Sequence, residues 1–150
     1  MSMGQMLMVL LAVVLFSTLI ITIYNNMFFQ IDLAESKLFY TQAIKISDYI
    51  FQQFEIEMVS DQTSFEELYE KYKTKQFYDA TNTLDIDYLD TDYKYSIISE
   101  YCDQSGNTED ISGTSDHQKL TVEISTTVKS DSLFLGSYIK VFSDMTLSGL

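Results

Sequence analysis

The chain has no arginine, proline or tryptophan, and only one cysteine, one histidine and five glycines among its 150 residues. Each scarcity removes a class of function. Nine lysines against 22 acidic residues leave a net charge of −13. Such a chain has no basic patch to release counterions from a phosphate backbone, so nucleic acid is not an expected partner. Anionic membrane headgroups are repelled for the same reason. A lone Cys102 excludes an intrachain disulfide and a thiolate cluster. A lone His117, in a polar stretch, has no second histidine with which to build a metal site or a triad. With so few glycines there is neither a phosphate-cradling loop nor a dinucleotide fingerprint.

Acidic residues are abundant, but abundance is not chemistry. Carboxylate pairs that do acid–base work need surroundings that separate their pKa values, and no apolar pocket is indicated around any pair. The densest group, Asp85, Asp87, Asp90 and Asp92, lacks the glycine turn and closing bidentate glutamate of a calcium loop. Asp85 and Asp87 alternate with Leu84, Ile86 and Tyr88, as expected for the solvated face of a strand. The expectation is a protein that is not an enzyme and holds no cofactor and no metal.

One further absence organises the rest. From Met1 to Ile31 there is no charged residue and no histidine; Asp32 is the first charge. Met6 to Tyr24 reads MLMVLLAVVLFSTLIITIY, apolar all round. As a helix these residues cover ~28 Å, about the hydrocarbon thickness of a bilayer. The hydroxyls of Ser17, Thr18 and Thr22 can bond back to carbonyls one turn earlier. A secretory signal would need a basic start, a shorter apolar core and a small-residue cleavage site, and none is present. A conventional single-pass anchor would carry Lys or Arg close to one end, whereas the nearest is Lys37.

Nothing between Asn25 and Met58 obliges the helix to stop, although Asn25-Asn26 is its stretch of lowest propensity. Phe39, Ala43, Ile46, Ile50, Phe54 and Met58 recur at spacings of four and three, the single buried face of an α-helix. Unbroken from Met3 to Met58, such a helix would span ~80 Å. Ser64-Phe65-Glu66-Glu67 fits a capping box. Phe65, Leu68, Tyr69, Tyr72 and Gln76-Phe77 predict a second helix of about four turns. The period then changes to two. Strands are expected at Leu84–Tyr88, at Tyr93–Tyr101, around Leu120–Val128 and over Leu133–Leu147. The last carries apolar residues on both faces and is expected to be central, paired with its predecessor as a hairpin. Residues Asp103 to His117 form a polar loop with two of the five glycines. The fold class is α+β: a long N-terminal helix, apolar in its first half, packs by its C-terminal half on a small antiparallel sheet, with one short additional helix. Residues 1–30 form the apolar arm and 31–150 an acidic head.

An uncharged helix over Met1 to Asn26, running into an amphipathic helix and then an antiparallel sheet, resembles the type IV filament superfamily. That group includes bacterial type IV pilins, secretion-system pseudopilins, and archaeal pilins and flagellins. The resemblance implies a structural subunit of an extracellular, pilus-like helical filament on the cell surface. It implies a homopolymer held by its N-terminal helices, with the inner or cytoplasmic membrane housing the precursor. It also implies a prepilin peptidase and assembly machinery as partners, and a removed basic leader that makes Met1 the first mature residue. Alternatively, Met1 is the initiator and cleavage follows Gly4 or does not occur. Gln5 stands where bacterial members usually carry Glu, and Thr22 where many carry Pro. The residues so assigned to assembly are Met1, Gln5, Leu7, Leu10, Leu11, Val14, Leu15, Thr18 and Ile21. The alternative within the same resemblance is a single-pass, membrane-anchored minor pseudopilin or secretion-apparatus component.

Overall fold

A computed structural model describes residues 2–60, 63–80, 92–109, 111, 115–128 and 131–144. The elements are α1 (Met3–Val59), α2 (Phe65–Tyr72), β1 (Gln76–Asp79), β2 (Tyr93–Cys102), β3 (His117–Val128) and β4 (Asp131–Ser143). The α+β class stands as expected. The chain divides into two compact units, Met1–Phe39 and Tyr40–Leu150. In the first, α1 is helical through Asn25 and Asn26 without interruption, and every residue from Ser2 to Leu38 is exposed.

The second unit is a sheet with one face covered. Its order is β1-β2-β3-β4, all neighbours antiparallel, so the chain meanders from one edge to the other. Leu120, Val122 and Ile124 on β3, with Ile97 on β2, form the buried face. Against it lie Ala43, Ile46, Ser47, Ile50, Phe51 and Phe54 of α1, the face that the helical spacing picks out. Phe51 meets Phe142 with ring centroids 6.4 Å apart, and Phe54 meets Tyr72 edge-on at 5.2 Å. Gln118, wholly buried on β3, accepts from the Ser99 hydroxyl at 3.2 Å and donates to the Phe65 carbonyl, fixing the start of α2 to the sheet.

Ser64 caps α2 as the sequence predicts: its hydroxyl accepts from the Glu67 N–H, and the Glu67 carboxylate accepts from the Ser64 N–H. The helix is shorter than four turns, however. It closes where the Lys73 N–H bonds the Tyr69 carbonyl at 2.7 Å, and Gln76–Asp79 become β1. Those four residues pair with Lys94–Ile97, and the gained ladder outweighs two further turns of an exposed helix. The strand expected at Leu84–Tyr88, and Asp85, Asp87 and Asp90, lie outside the described residues. Asp92 is described; its carbonyl accepts from the Thr126 hydroxyl at 3.1 Å.

Two further expectations are corrected. His117 opens β3, paired with Cys102, instead of ending the loop. β4 is an edge strand, not a central one. A bulge opposite Ile124 and Ser125 shifts its alternation at Leu135 and Gly136. Leu135 and Phe142 are buried, while Phe134 and Ile139 lie exposed on the other face. Two apolar faces thus reflect a bulge and an uncovered surface.

Candidate functional site

No polar constellation with catalytic geometry emerges among the described residues, which hold no group of three or more His, Cys, Asp or Glu placed to bind a metal. Cys102 is buried, and burial raises its thiol above the ordinary value, so it stays protonated at neutral pH. In the loop, the Asp103 carboxylate accepts from the backbone N–H groups of Ser105 and Asn107, both at 2.8 Å. These bonds, Asn107's first, hold its pKa below the usual carboxylate value. Gly106 completes this turn at φ 84°, where a side chain would be strained. The result is a folded loop tip, with its carboxylate already occupied by backbone donors.

The surface that needs an explanation is the arm. Every large apolar side chain from Met6 to Ile31 is exposed. A membrane-length window of this helix has mean hydropathy 2.8, and none of it is buried within the chain. Exposing a single Leu, Ile, Met or Phe to water forgoes roughly 1.5–3 kcal/mol. Summed over the arm, this exceeds the ~5–15 kcal/mol by which a whole domain is usually stable. The arm is therefore a surface suited to apolar surroundings. The hydroxyls add no demand of their own: Ser17 donates to the Val13 carbonyl, Thr18 to that of Leu15 and Thr22 to that of Thr18, each at 2.8 Å. All three are self-satisfied in an apolar medium.

Among the residues assigned to assembly, Leu7, Leu10, Leu11, Val14 and Leu15 line one shallow groove without a polar side chain. Thr18 and Ile21 continue that face at the same spacing of four and three. Met1 lies outside the described residues. Gln5 has a local role that the sequence reading missed. Ser2 is the cap of α1: its Oγ accepts from the Gln5 N–H at 3.4 Å, and Gln5 Oε1 accepts from the Ser2 N–H at 3.2 Å. It is a capping box like that of α2, Ser-x-x-Gln beside Ser-x-x-Glu, and the same pattern would have found it. It satisfies helix donors at the end of an apolar rod without a charge.

The long apolar N-terminal helix followed by a small antiparallel sheet is a pilin-like architecture, and the helix is long and apolar enough to cross a membrane. Comparison with protein-family models, with curated proteins and with solved structures finds no match to this chain.

Proposed function

We propose that this chain is a structural, non-enzymatic subunit of a type IV pilus-like extracellular filament. Before assembly the arm resides in a membrane; afterwards it is bundled with the arms of other copies. The observation that carries the reading is the unbroken exposure of apolar side chains from Met6 to Ile31 on a helix with no charge. The 29 uncharged residues of α1, Met3 to Ile31, cover ~43 Å as a helix, more than the ~30 Å of a bilayer core. A bilayer core is shorter than this surface, whereas several parallel neighbours of the same length, packed around the helix, cover its whole length and circumference. Transfer from lipid to bundle exchanges one apolar contact for another, so packing and not water exclusion decides the balance. The acidic head then faces outward and keeps the polymer soluble.

The test is electron microscopy of material sheared from the cell surface, with mass spectrometry of its subunit. Filaments built of this chain are expected. Its recovery only from membranes, never from filaments, overturns the reading in favour of an anchored accessory of a secretion apparatus.

A further inference from the structure

The groove of the arm opens a line of residues, Leu7, Leu11, Val14, Thr18 and Ile21, spaced alternately by four and three. Carried on, the same spacing reaches Asn25, Phe28 and Asp32. This is the heptad pattern of helices that pack side by side. One row of it is Leu7, Val14, Ile21 and Phe28, all apolar. The other ends in Thr18, Asn25 and Asp32, three polar residues each seven apart. Asn26 and Gln30, the neighbouring amides, lie on other sides of the helix. The three differ in what they already have. The Thr18 hydroxyl donates to the Leu15 carbonyl, as Thr22 and Ser36 donate one turn back. Among the described residues, no hydrogen bond or ion pair takes up the Asn25 amide or the Asp32 carboxylate, and both residues are exposed. Water would serve them. Between apolar helices, an unmet amide and a bare carboxylate are both costly.

We infer that this line packs against the same line of a second copy, parallel and shifted by one heptad, so that Asn25 meets Asp32 of one neighbour and Thr18 of the other. The inference rests on the filament reading, which brings arms together, and adds the register between them. A shift of seven residues is ~10 Å along a helix. With the line turned toward the bundle axis, each arm touches a neighbour on either side. One hydrogen of the Asn25 amide then donates to the Asp32 carboxylate, a charge-assisted bond. The other donates to the Thr18 oxygen, whose own proton stays on the Leu15 carbonyl. The donors and acceptors of this row thus complement a shifted copy of the row itself.

Other registers fail on the same residues. Unshifted arms set Asn25 against Asn25, which two amides tolerate, but also Asp32 against Asp32, two like charges between apolar helices. A shift of two heptads lays Asn25 against Leu11 and leaves its amide unmet. Shifts of three or four residues lay it against Phe28 or Ile21, with the same result. Antiparallel arms do not arise, because copies of one chain share one orientation in a membrane. A shift of one heptad keeps the apolar row apolar, with Val14 between Leu7 and Ile21. The contact is heterologous and repeats from copy to copy without closing, the geometry of a filament.

The test is disulfide trapping in the full chain on cells, followed by shearing, with Cys102 left in its buried place. Facing residues of packed helices come within reach of a disulfide. Val14 and Ile21 lie on the apolar row, where cysteine brings no charge. On mild oxidation the double variant Val14→Cys, Ile21→Cys is expected to give dimer, trimer and higher bands that reductant collapses. Each single variant is expected to stay monomeric. In the double variant, adding Asn25→Leu should reduce the higher bands several-fold, whereas Asn25→Gln, which keeps an amide, and Asn26→Leu, off the line, should retain them. Filaments of the double variant without higher bands overturn the register and leave the filament reading standing. So does a dimer from either single variant, which would mean unshifted arms, or a series of bands that Asn25→Leu leaves unchanged. Absence of filaments from the parent chain overturns the filament reading and this register with it.

Discussion

The Tyr93 hydroxyl donates to the side-chain oxygen of Gln42, joining the first residue of β2 to α1. Tyr93 is otherwise wholly buried, so this bond removes the cost of enclosing a phenol. Tyr93→Phe should destabilise the head by ~1 kcal/mol, the net worth of a buried hydrogen bond. Thermal unfolding of the detergent-solubilised chain measures it.

The same burial makes the head sensitive to alkali. Tyr93 is pushed up to about 12 from an ordinary value of 10.0, chiefly by desolvation. Burial also raises Tyr72. An unfolded chain ionises these phenols first, so their contribution is complete below pH ~10 and is lost as pH rises through the folded values. Unfolding midpoints should hold steady up to that pH and then fall. The Tyr93→Phe variant should show a shallower fall.

Asp103 behaves in the opposite sense. Its carboxylate is held below the usual range by the Asn107 and Ser105 N–H groups. What it contributes is present above the ordinary carboxylate value and is lost as pH falls through the lowered one. Amide exchange at Ser105 and Asn107 should stay slow from neutral pH downwards and quicken only in acid beyond the range of ordinary aspartates. In Asp103→Ala it should be fast at neutral pH, with the midpoint of the head nearly unchanged.

Gly136 sits at φ 148° in the β4 bulge, where an added Cβ would lie 3.3 Å from the Tyr138 ring. Gly136→Ala should cost on the order of 1–3 kcal/mol through backbone strain, with further loss if Tyr138 must shift. A lowered unfolding midpoint is expected. An unchanged midpoint would show that the bulge relaxes freely.

That bulge also explains where reading the sequence stopped. The period of α1 from Ala43 to Phe54, the Ser64–Glu67 box and the alternations of β2 and β3 are local signals, repeated often enough to be legible. β1 is not legible: Gln76 and Phe77 extend the helical spacing of Phe65, Leu68 and Tyr72, and only pairing with Lys94–Ile97 makes them a strand. The edge position of β4 was hidden likewise. Apolar residues on both faces read as full burial, whereas a one-residue shift at Leu135 and an uncovered face account for them. Of the candidate surface, the apolar arm was plain in composition. The role of Gln5 in capping was not, because a box carried by two polar residues, Ser2 and Gln5, is a weak local signal beside the apolar run that follows it.

The arm's own prediction separates folding from placement. Val14 is exposed on the apolar groove with Leu10 and Leu11. A carboxylate there costs ~2.5–3.5 kcal/mol near the centre of a bilayer helix, and more if buried unpaired among neighbouring arms. Val14→Asp should therefore reduce membrane retention and abolish any filament. The unfolding midpoint and near-ultraviolet dichroism of the head should be unchanged, and Val14→Leu should behave like the parent in both assays. Fractionation, microscopy and dichroism on the three chains together give the answer. A Val14→Asp chain that assembles normally would show that this face of the arm does not pack against anything apolar.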